Sequence, residues 1–340
     1  MKKIFLLSAL SLASLFSLSC LATTVSLNQY DRIYHEPVAW NRTVTESKNM
    51  HAFTVLLDNG QLLSWGQSVW PDALTHAPVV PEGRSVKEIF SSEDAFTALL
   101  DNNTMLCWST KLSWSTSGAE IRTPFISPER KICSINSNSG GSLDSNSGGF
   151  VALLDNGAVV GWGNLNLPPS LSYLEDQGQK VISVTSSWWA FAAVVINPDT
   201  AQQTIISWGD PGVKSSVDPY NATIEIPAGI KVTSIAANDY AFAALLDNGT
   251  IKAWGSKNYG GVAPLFPADK KIVSIAAADF AFTAMFEDGT IQAWGDQQDG
   301  GKTPSLPLGS TVTKIFASSH DFAALLSGGD HDGDILSWVF

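Results

Sequence analysis

One hairpin occurs seven times along this chain, and that repeat constrains the fold more than any other feature of the sequence. Residues 241–255 read AFAALLDNGTIKAWG, and residues 281–295 read AFTAMFEDGTIQAWG. Each copy has a Phe near its start and a Trp near its end. The Phe anchors are Phe53, Phe96, Phe150, Phe191, Phe242, Phe282 and Phe322, and the Trp anchors are Trp65, Trp108, Trp162, Trp208, Trp254, Trp294 and Trp338. Successive Trp anchors lie between 40 residues (Trp254 to Trp294) and 54 residues (Trp108 to Trp162) apart, a period typical of propellers, solenoids and other repeat arrays.

Each copy is predicted to contain three strands. Short β-branched stretches such as KVISVTS and KIVSIAAAD precede six of the hairpins and are typical of strands. The hairpin turns read DNG at 58–60, 155–157 and 247–249, and EDG at 287–289. These residues accept positive φ, and Asn103 takes the glycine position in the second copy. A loop of variable length follows each Trp, so the unit is strand, bend, strand, turn, strand and loop.

The second strand of the unit is predicted to be covered on both faces. In AFAALL, residues 241–246, odd and even positions point to opposite faces, and all six side chains are apolar. A two-layer sandwich would leave one face polar, and a membrane barrel with an aqueous lumen would alternate polar with apolar residues. Sheets pressed between neighbouring sheets fit best. We therefore predict an all-β fold, a seven-bladed β-propeller, with the Ala- and Ser-rich first strands nearest the axis.

The two ends of the chain predict export and ring closure. Residues 1–22 combine Lys2 and Lys3 with an apolar stretch and small residues, the pattern of a secretory signal peptide. Cleavage after Ala22 would release a secreted or periplasmic protein. Alternatively, Cys20 would be lipidated, because SLSC resembles a bacterial lipobox. Residues 23–340 would then be a single propeller domain, with residues 24–46 helping to close the ring.

Composition argues against some partners. Removal of the leader leaves 18 basic and 32 acidic side chains, a net charge of −14. Such a surface repels nucleic acid and anionic lipid, and no later segment is long and apolar enough to cross a bilayer. Cys107 and Cys133 would remain after processing. An oxidising compartment permits a disulfide between them, and the alternative is two separate small buried side chains.

The last copies share the pattern I-A-A-x-D-[YF]-A-F-x-A-[LM]-[LF]-[DE]-[ND]-G-T-I-x-A-W-G, which resembles the regulator of chromosome condensation repeat. The resemblance covers about residues 42–340 and implies a seven-bladed propeller. That family includes nucleotide-exchange factors for small GTPases, protein inhibitors of β-lactamases and host-directed bacterial effectors. Its eukaryotic pattern has a Gly-x-x-His bend before the second strand. The matching His positions here hold Ala52, Ala95, Gly149, Ala190, Ala241, Ala281 and Asp321. The departure argues against an exchange factor, and the resemblance carries over no active-site residues.

Catalytic and metal-binding patterns are sparse. The five histidines (His35, His51, His76, His320 and His331) lack metalloprotease spacing, and the sequence has no Gly-x-Ser-x-Gly elbow or phosphate-binding loop. We therefore expect neither catalysis nor a cofactor. Asp330, Asp332 and Asp334 alternate in a turn-like stretch, where they would either hold Ca²⁺ or form a charged, enlarged turn.

Aromatic residues are the best candidates for partner binding. The residue before each Ala-Phe pair is aromatic or His in five of seven copies: His51, Trp189, Tyr240, Phe280 and His320. These side chains would either form an aromatic collar on one rim of the ring or pack the bend against the next blade. Acidic neighbours Glu93, Asp239 and Asp279 would give the collar a negative edge. The loops after Trp-Gly carry Trp70, Trp114 and Tyr259, which either contribute to recognition or pack beneath their own loops.

These patterns predict a secreted, non-catalytic propeller that binds a macromolecule. A protein partner is favoured, as an inhibited enzyme or a host protein. A carbohydrate-binding propeller is the alternative, with aromatic rings stacking on sugars, and an enzyme is third.

Overall fold

A computed structural model of the chain describes residues 52–57, 60–66, 77–92, 95–109, 123–127, 129–138, 149–163, 171, 174, 177–209 and 222–338. The strands are β1 Ala52–Leu56, β2 Leu62–Gly66, β3 Val86–Ser91, β4 Ala95–Leu100, β5 Met105–Ser109, β6 Ile132–Ser137, β7 Gly149–Leu154, β8 Val159–Gly163, β9 Lys180–Ser186, β10 Ala190–Ile196, β11 Gln203–Gly209, β12 Ala222–Glu225, β13 Val232–Ala237, β14 Ala241–Leu246, β15 Ile251–Gly255, β16 Ile272–Ala277, β17 Ala281–Phe286, β18 Ile291–Gly295, β19 Thr311–Ala317, β20 Phe322–Ser327 and β21 Ile335–Trp338. Short 3-10 helices lie at Lys257–Tyr259 and Gly329–His331.

The described strands form seven antiparallel sheets that follow one another along the chain. Sheet 1 is β1–β2, sheet 2 is β3–β5, sheet 3 is β6–β8, sheet 4 is β9–β12, sheet 5 is β13–β15, sheet 6 is β16–β18 and sheet 7 is β19–β21. From sheet 2 to sheet 7, the first strand of each sheet neighbours the first strand of the next, as expected near a common axis. The fold is a β-propeller, as the sequence predicts.

The Phe and Trp anchors are cross-strand partners. Phe and Trp lie directly opposite each other in all seven hairpins, for example Phe242 opposite Trp254. In sheets 2 to 7 their rings stack with centroids between 5.2 and 5.6 Å apart. Facing pairs at this distance are a main stabilising contact of a sheet. In sheets 2 to 7 the anchors named from the sequence therefore form the repeated core of the blades.

The middle strands are covered on both faces, as predicted. All six residues of β4, β7 and β14 are buried. Residues 190, 192 and 194 of β10 pack against residues 242, 244 and 246 of β14. The opposite face of β14, residues 241, 243 and 245, packs against residues 282, 284 and 286 of β17. Sheets 2 to 6 are each pressed between two neighbouring sheets, and the apolar character of both faces of their middle strands is explained.

The turn chemistry is also confirmed. Asn103 adopts φ 65° in the glycine position of its turn, and its neighbour Asn102 accepts a hydrogen bond from the backbone N–H of Thr104 at 3.1 Å. The same side-chain contact recurs in other copies, as from Thr250 N–H to Asn248 Oδ1 at 3.1 Å. These local bonds fix the hairpin register independently of the core.

Within the described residues, one strand is added to the predicted unit. Sheet 4 carries a fourth strand, β12, paired with β11 on its outer edge. The leader and residues 24–46 lie outside the described residues, so export and ring closure stay predictions. The number of blades in the closed ring stays a prediction for the same reason.

The two cysteines are free rather than bridged to each other. Cys107 is buried and lies 3.0 Å from the Oγ1 of Thr97, whereas Cys133 is exposed. Burial raises the pKa of the Cys107 thiol to about 11, because a thiolate there would lose its hydration. The second alternative, two separate small buried side chains, is therefore right for Cys107 and wrong for Cys133.

This difference predicts selective thiol chemistry. In protein lacking residues 1–22, a disulfide-exchange reagent near pH 8 should modify Cys133 quickly and Cys107 only on unfolding, since the reactive species is the thiolate. One thiol per folded chain and two per unfolded chain are expected. Two fast thiols in the folded chain, or none in the unfolded chain without reductant, would contradict the assignment.

Candidate functional site

Five aromatic or imidazole side chains meet along one rim. Ring centroids are 6.4 Å apart between Trp189 and Tyr240, 5.9 Å between Tyr240 and Phe280, and 5.8 Å between Phe280 and His320. Tyr259 adds contacts of 4.7 Å to Tyr240 and 5.5 Å to Phe280. We call these five residues the aromatic arc. The arc crosses sheets 4 to 7, and its members are half-buried or exposed, so the collar and packing alternatives are both partly realised.

Three of the four bends that carry the arc are held by short polar side chains, at Ser187, Asn238 and Ser318. Asn238 Oδ1 accepts hydrogen bonds from the N–H groups of Tyr240 (2.9 Å) and Ala241 (2.7 Å). In sheet 4, Ser187 Oγ accepts from Trp189 and Ala190 in the same way, at 3.2 and 2.9 Å. Such side-chain-to-backbone bonds stabilise a tight bend between strands. Trp189 and Tyr240 therefore each start from a fixed backbone.

Tyr259 reaches the arc because its loop folds back over the next sheet. The carbonyl of Gly260 accepts a 3.0 Å hydrogen bond from Trp294 Nε1. A Cβ on Gly260 would lie 2.7 Å from the ring of Phe282, so only glycine allows the loop this close. In addition, Asn238 Nδ2 donates to the carbonyl of Tyr259 at 2.6 Å. The loop places the Tyr259 ring against both Tyr240 and Phe280.

Backbone hydrogen bonds connect successive bends. The N–H of Asp239 donates to the carbonyl of Asp279 at 3.0 Å, and the N–H of Asp279 donates to the carbonyl of Ser319 at 2.8 Å. The carbonyl of Tyr240 accepts from Ser256 N–H at 2.8 Å, and that of Phe280 from Asp296 N–H at 3.0 Å. The arc is therefore attached to a hydrogen-bonded rim. Because the rim is already ordered, binding of a partner costs less conformational entropy.

Carboxylates lie next to the arc, but not all of them are on the surface. Asp239 is only 8% exposed, so it does not form the exposed edge that the sequence suggested. Asp279 is half-buried. A further carboxylate, Asp299, lies 3.3 Å from the Nδ1 of His320. The acidic character of this rim thus comes from one buried side chain and two more accessible ones.

Asn238 is a positioning residue that the sequence did not single out. Its side chain is fully buried at 0% exposure, and it holds both Tyr240 and Tyr259. The available signal was the Asn or Ser at the same bend position in other copies, such as Asn138, Ser187 and Ser318. Asn carries the acceptor for the bend and the donor for the loop on two separate atoms, Oδ1 and Nδ2, whereas Ser has a single hydroxyl.

Substitution of Asn238 should separate these two roles. Asn238→Ser keeps an acceptor for the bend and loses the bond to Tyr259, so we expect a loss of about 1 kcal/mol in the free energy of unfolding. Asn238→Ala loses both and should cost about 2–3 kcal/mol, because buried N–H groups are left unpaired. Denaturant unfolding measures both losses. Equal losses for Ser and Ala would contradict the division of roles.

The other predicted residues are placed as follows. Trp70, Trp114, His51 and Glu93 lie outside the described residues, so their roles stay predictions. Asp330 lies within the 3-10 helix Gly329–His331, and Asp332 and Asp334 follow that helix. Asp332 accepts from Ser327 Oγ at 2.9 Å and from Gly328 N–H at 3.0 Å, and these bonds lower its pKa.

Asp334 pairs with His331 at 3.0 Å. Throughout the part of the chain that the structure describes, no three His, Cys, Asp or Glu side chains come together as a metal site would require. The geometry therefore favours an enlarged turn at residues 330–334.

A comparison with protein-family models agrees with the repeat. Residues 232–260 match the family model described as the regulator of chromosome condensation (RCC1) repeat, which confirms the resemblance for the fifth copy. A search of curated proteins found no significant match. None of the helices in the described residues is long and apolar enough to cross a membrane.

Several solved structures are similar in fold at low sequence identity. The ectodomain of the receptor kinase ACR4 from Arabidopsis thaliana is 15% identical over 85% of this chain and 91% of its own, with a TM-score of 0.40. Prp20p from Saccharomyces cerevisiae is 15% identical over 83% and 81%, with a TM-score of 0.44. Human WBSCR16 is 12% identical over 82% and 85%, with a TM-score of 0.42.

Proposed function

We propose that this chain, whose fifth repeat matches the regulator of chromosome condensation family, is a non-catalytic propeller that binds a protein partner through the aromatic arc. The leader-like residues 1–22 support a location outside the cytoplasm. The observation that carries the proposal is the arc itself, five contacting and partly accessible rings on a hydrogen-bonded rim.

Such an arrangement suits protein recognition. Aromatic residues dominate the energetically important positions of protein interfaces. They bring large contact area at a small cost in side-chain entropy. Because the rim is already fixed by backbone bonds from sheet to sheet, little ordering is left for the moment of binding.

Ring orientation favours a protein over a sugar. The rings of Tyr240 and Phe280 are only 19° from parallel and face each other at 5.9 Å. A sugar that stacks on an aromatic ring covers the whole of one face, and these two rings partly occupy each other's faces. The parts of the ring faces that stay accessible suit the smaller planar or slender side chains of a protein partner.

Affinity capture tests the proposal. Immobilised protein lacking residues 1–22 should retain one stoichiometric protein from extracts of the cell envelope or of a host. The double variant Tyr240→Ala/Phe280→Ala should weaken that complex by at least about 30-fold, since central interface aromatics each contribute about 2 kcal/mol or more.

The matched control removes apolar surface elsewhere. Leu265 and Leu308 are both 98% exposed, and Leu265→Ala/Leu308→Ala should leave capture unchanged. Equal retention by the arc variant and the control would refute binding through the arc. Glycan-array binding that depends on Tyr240 and Phe280, without protein capture, would establish the carbohydrate alternative.

A further inference from the structure

The charged side chains next to the aromatic arc are mostly acidic. Asp239 and Asp279 immediately precede Tyr240 and Phe280, and Asp299 contacts His320. The bend stretches 187–189, 238–240, 278–280 and 318–321 contain no Lys or Arg. The basic side chain nearest in sequence to an arc residue is the exposed Lys257, two residues before Tyr259. The arc thus lies in a negative local field, within a chain of net charge −12.

Aromatic rings add to this field. The face of each ring is the negative end of its quadrupole, and it attracts cations within about 6 Å. Four rings and an imidazole lie in one continuous series, so a cation near Tyr240 approaches several rings at once. A low-dielectric surface with nearby carboxylates strengthens the same attraction.

We infer that the partner presents an arginine-bearing segment to the aromatic arc. This inference depends on the proposed function and adds the chemistry of the partner. Arginine fits better than lysine because its planar guanidinium stacks on aromatic faces, is weakly hydrated and donates to carboxylates in a fork. The guanidinium contacts the Tyr240, Tyr259 and Phe280 group, and Asp279 and Asp299 accept its hydrogen bonds.

A peptide titration tests this chemistry without the natural partner. A fluorescein-labelled oligoarginine peptide is titrated with the chain lacking residues 1–22, and its anisotropy is measured at low salt. Oligocitrulline, which keeps the shape and loses the charge, is the matched peptide. Oligoarginine should bind at least about tenfold more tightly than oligocitrulline.

Three variants locate the site. Asp279→Asn should weaken oligoarginine binding about 2–5-fold, and Tyr240→Leu/Phe280→Leu, which keeps apolar bulk, should weaken it about tenfold. Asp155→Asn removes the same charge from the hairpin turn that follows β7. That turn is at the end of β7 opposite the bend that precedes the strand, so the substitution should leave binding unchanged.

The outcomes separate the inference from the proposed function. Equal weakening by Asp155→Asn and Asp279→Asn, or unaltered binding by the Leu double variant, would show only general charge attraction and overturn the inference. A captured partner that is lost with Tyr240→Ala/Phe280→Ala but is insensitive to Asp279→Asn and to salt would also overturn it, while the proposed function would stand.

Discussion

Phe242→Ala should lower the free energy of unfolding by about 3–5 kcal/mol, the usual cost of removing a buried aromatic ring from a core. The Phe242 side chain is fully buried. It stacks on Trp254 at 5.2 Å within its own sheet, and it packs against residues 190, 192 and 194 of the sheet before it. Deletion of the ring therefore leaves a cavity between two blades as well as within one.

Denaturant unfolding followed by tryptophan fluorescence measures this loss. Leu265→Ala is the control, because Leu265 is an almost fully exposed apolar side chain and should change stability by less than about 0.5 kcal/mol. A loss below about 1 kcal/mol for Phe242→Ala would contradict the role of the Phe–Trp pair as the repeated core.

Gly255→Ala should cost about 2–4 kcal/mol and displace the arc residue Tyr240. Gly255 adopts φ +107°, and a Cβ there would lie 2.6 Å from the carbonyl oxygen of Tyr240 and 2.7 Å from the Cα of Ala241. The positive φ alone costs an L-residue about 1–2 kcal/mol, and the collision is with backbone, which cannot rotate away. The bend must therefore shift.

Gly229→Ala separates the two effects. Gly229 has φ +78°, and a Cβ there would meet nothing within 4 Å, so only the backbone cost of about 1–2 kcal/mol is expected. Unfolding of both variants gives the stability difference, and binding of the captured partner reports on the arc. Equal costs at the two glycines, with unaltered partner binding, would contradict the close approach of Gly255 to the bend.

Much of the fold could be predicted because the same sequence pattern occurs in seven copies, and each copy indicates the same strands and turn. Odd and even residues of 241–246 point to opposite faces of a strand, and both sets are apolar. Burial of both faces of the middle strand could therefore be predicted. Asn103 stands where other copies have glycine, which indicated a positive-φ position. The shared bend position of Trp189, Tyr240, Phe280 and His320 predicted that they lie on one rim. The register of a repeat is enough for this, since equivalent positions in successive sheets must become neighbours.

Features specific to a single copy could not be predicted. Among the described residues, β12 is the only fourth strand of a sheet, and it is four residues long, so no second copy supported it. Tyr259 was assigned to a variable loop, although a Gly-Gly pair follows it as a second pair follows Asp299, and Gly300 approaches Phe322 as Gly260 approaches Phe282. The alternating residues 330–334 suggested ligands, yet Asp332 bonds to its own turn, a preference that short polar side chains share.

Photo-crosslinking from the rim measures the binding surface most directly. Benzoylphenylalanine in place of Phe280 keeps an aromatic side chain within the aromatic arc, and the same group in place of Leu308 samples exposed surface away from it. Irradiation in the presence of the captured protein should give a covalent adduct from position 280 and none from position 308. An adduct from position 308 alone, or equal adducts from both, would contradict partner binding through the aromatic arc.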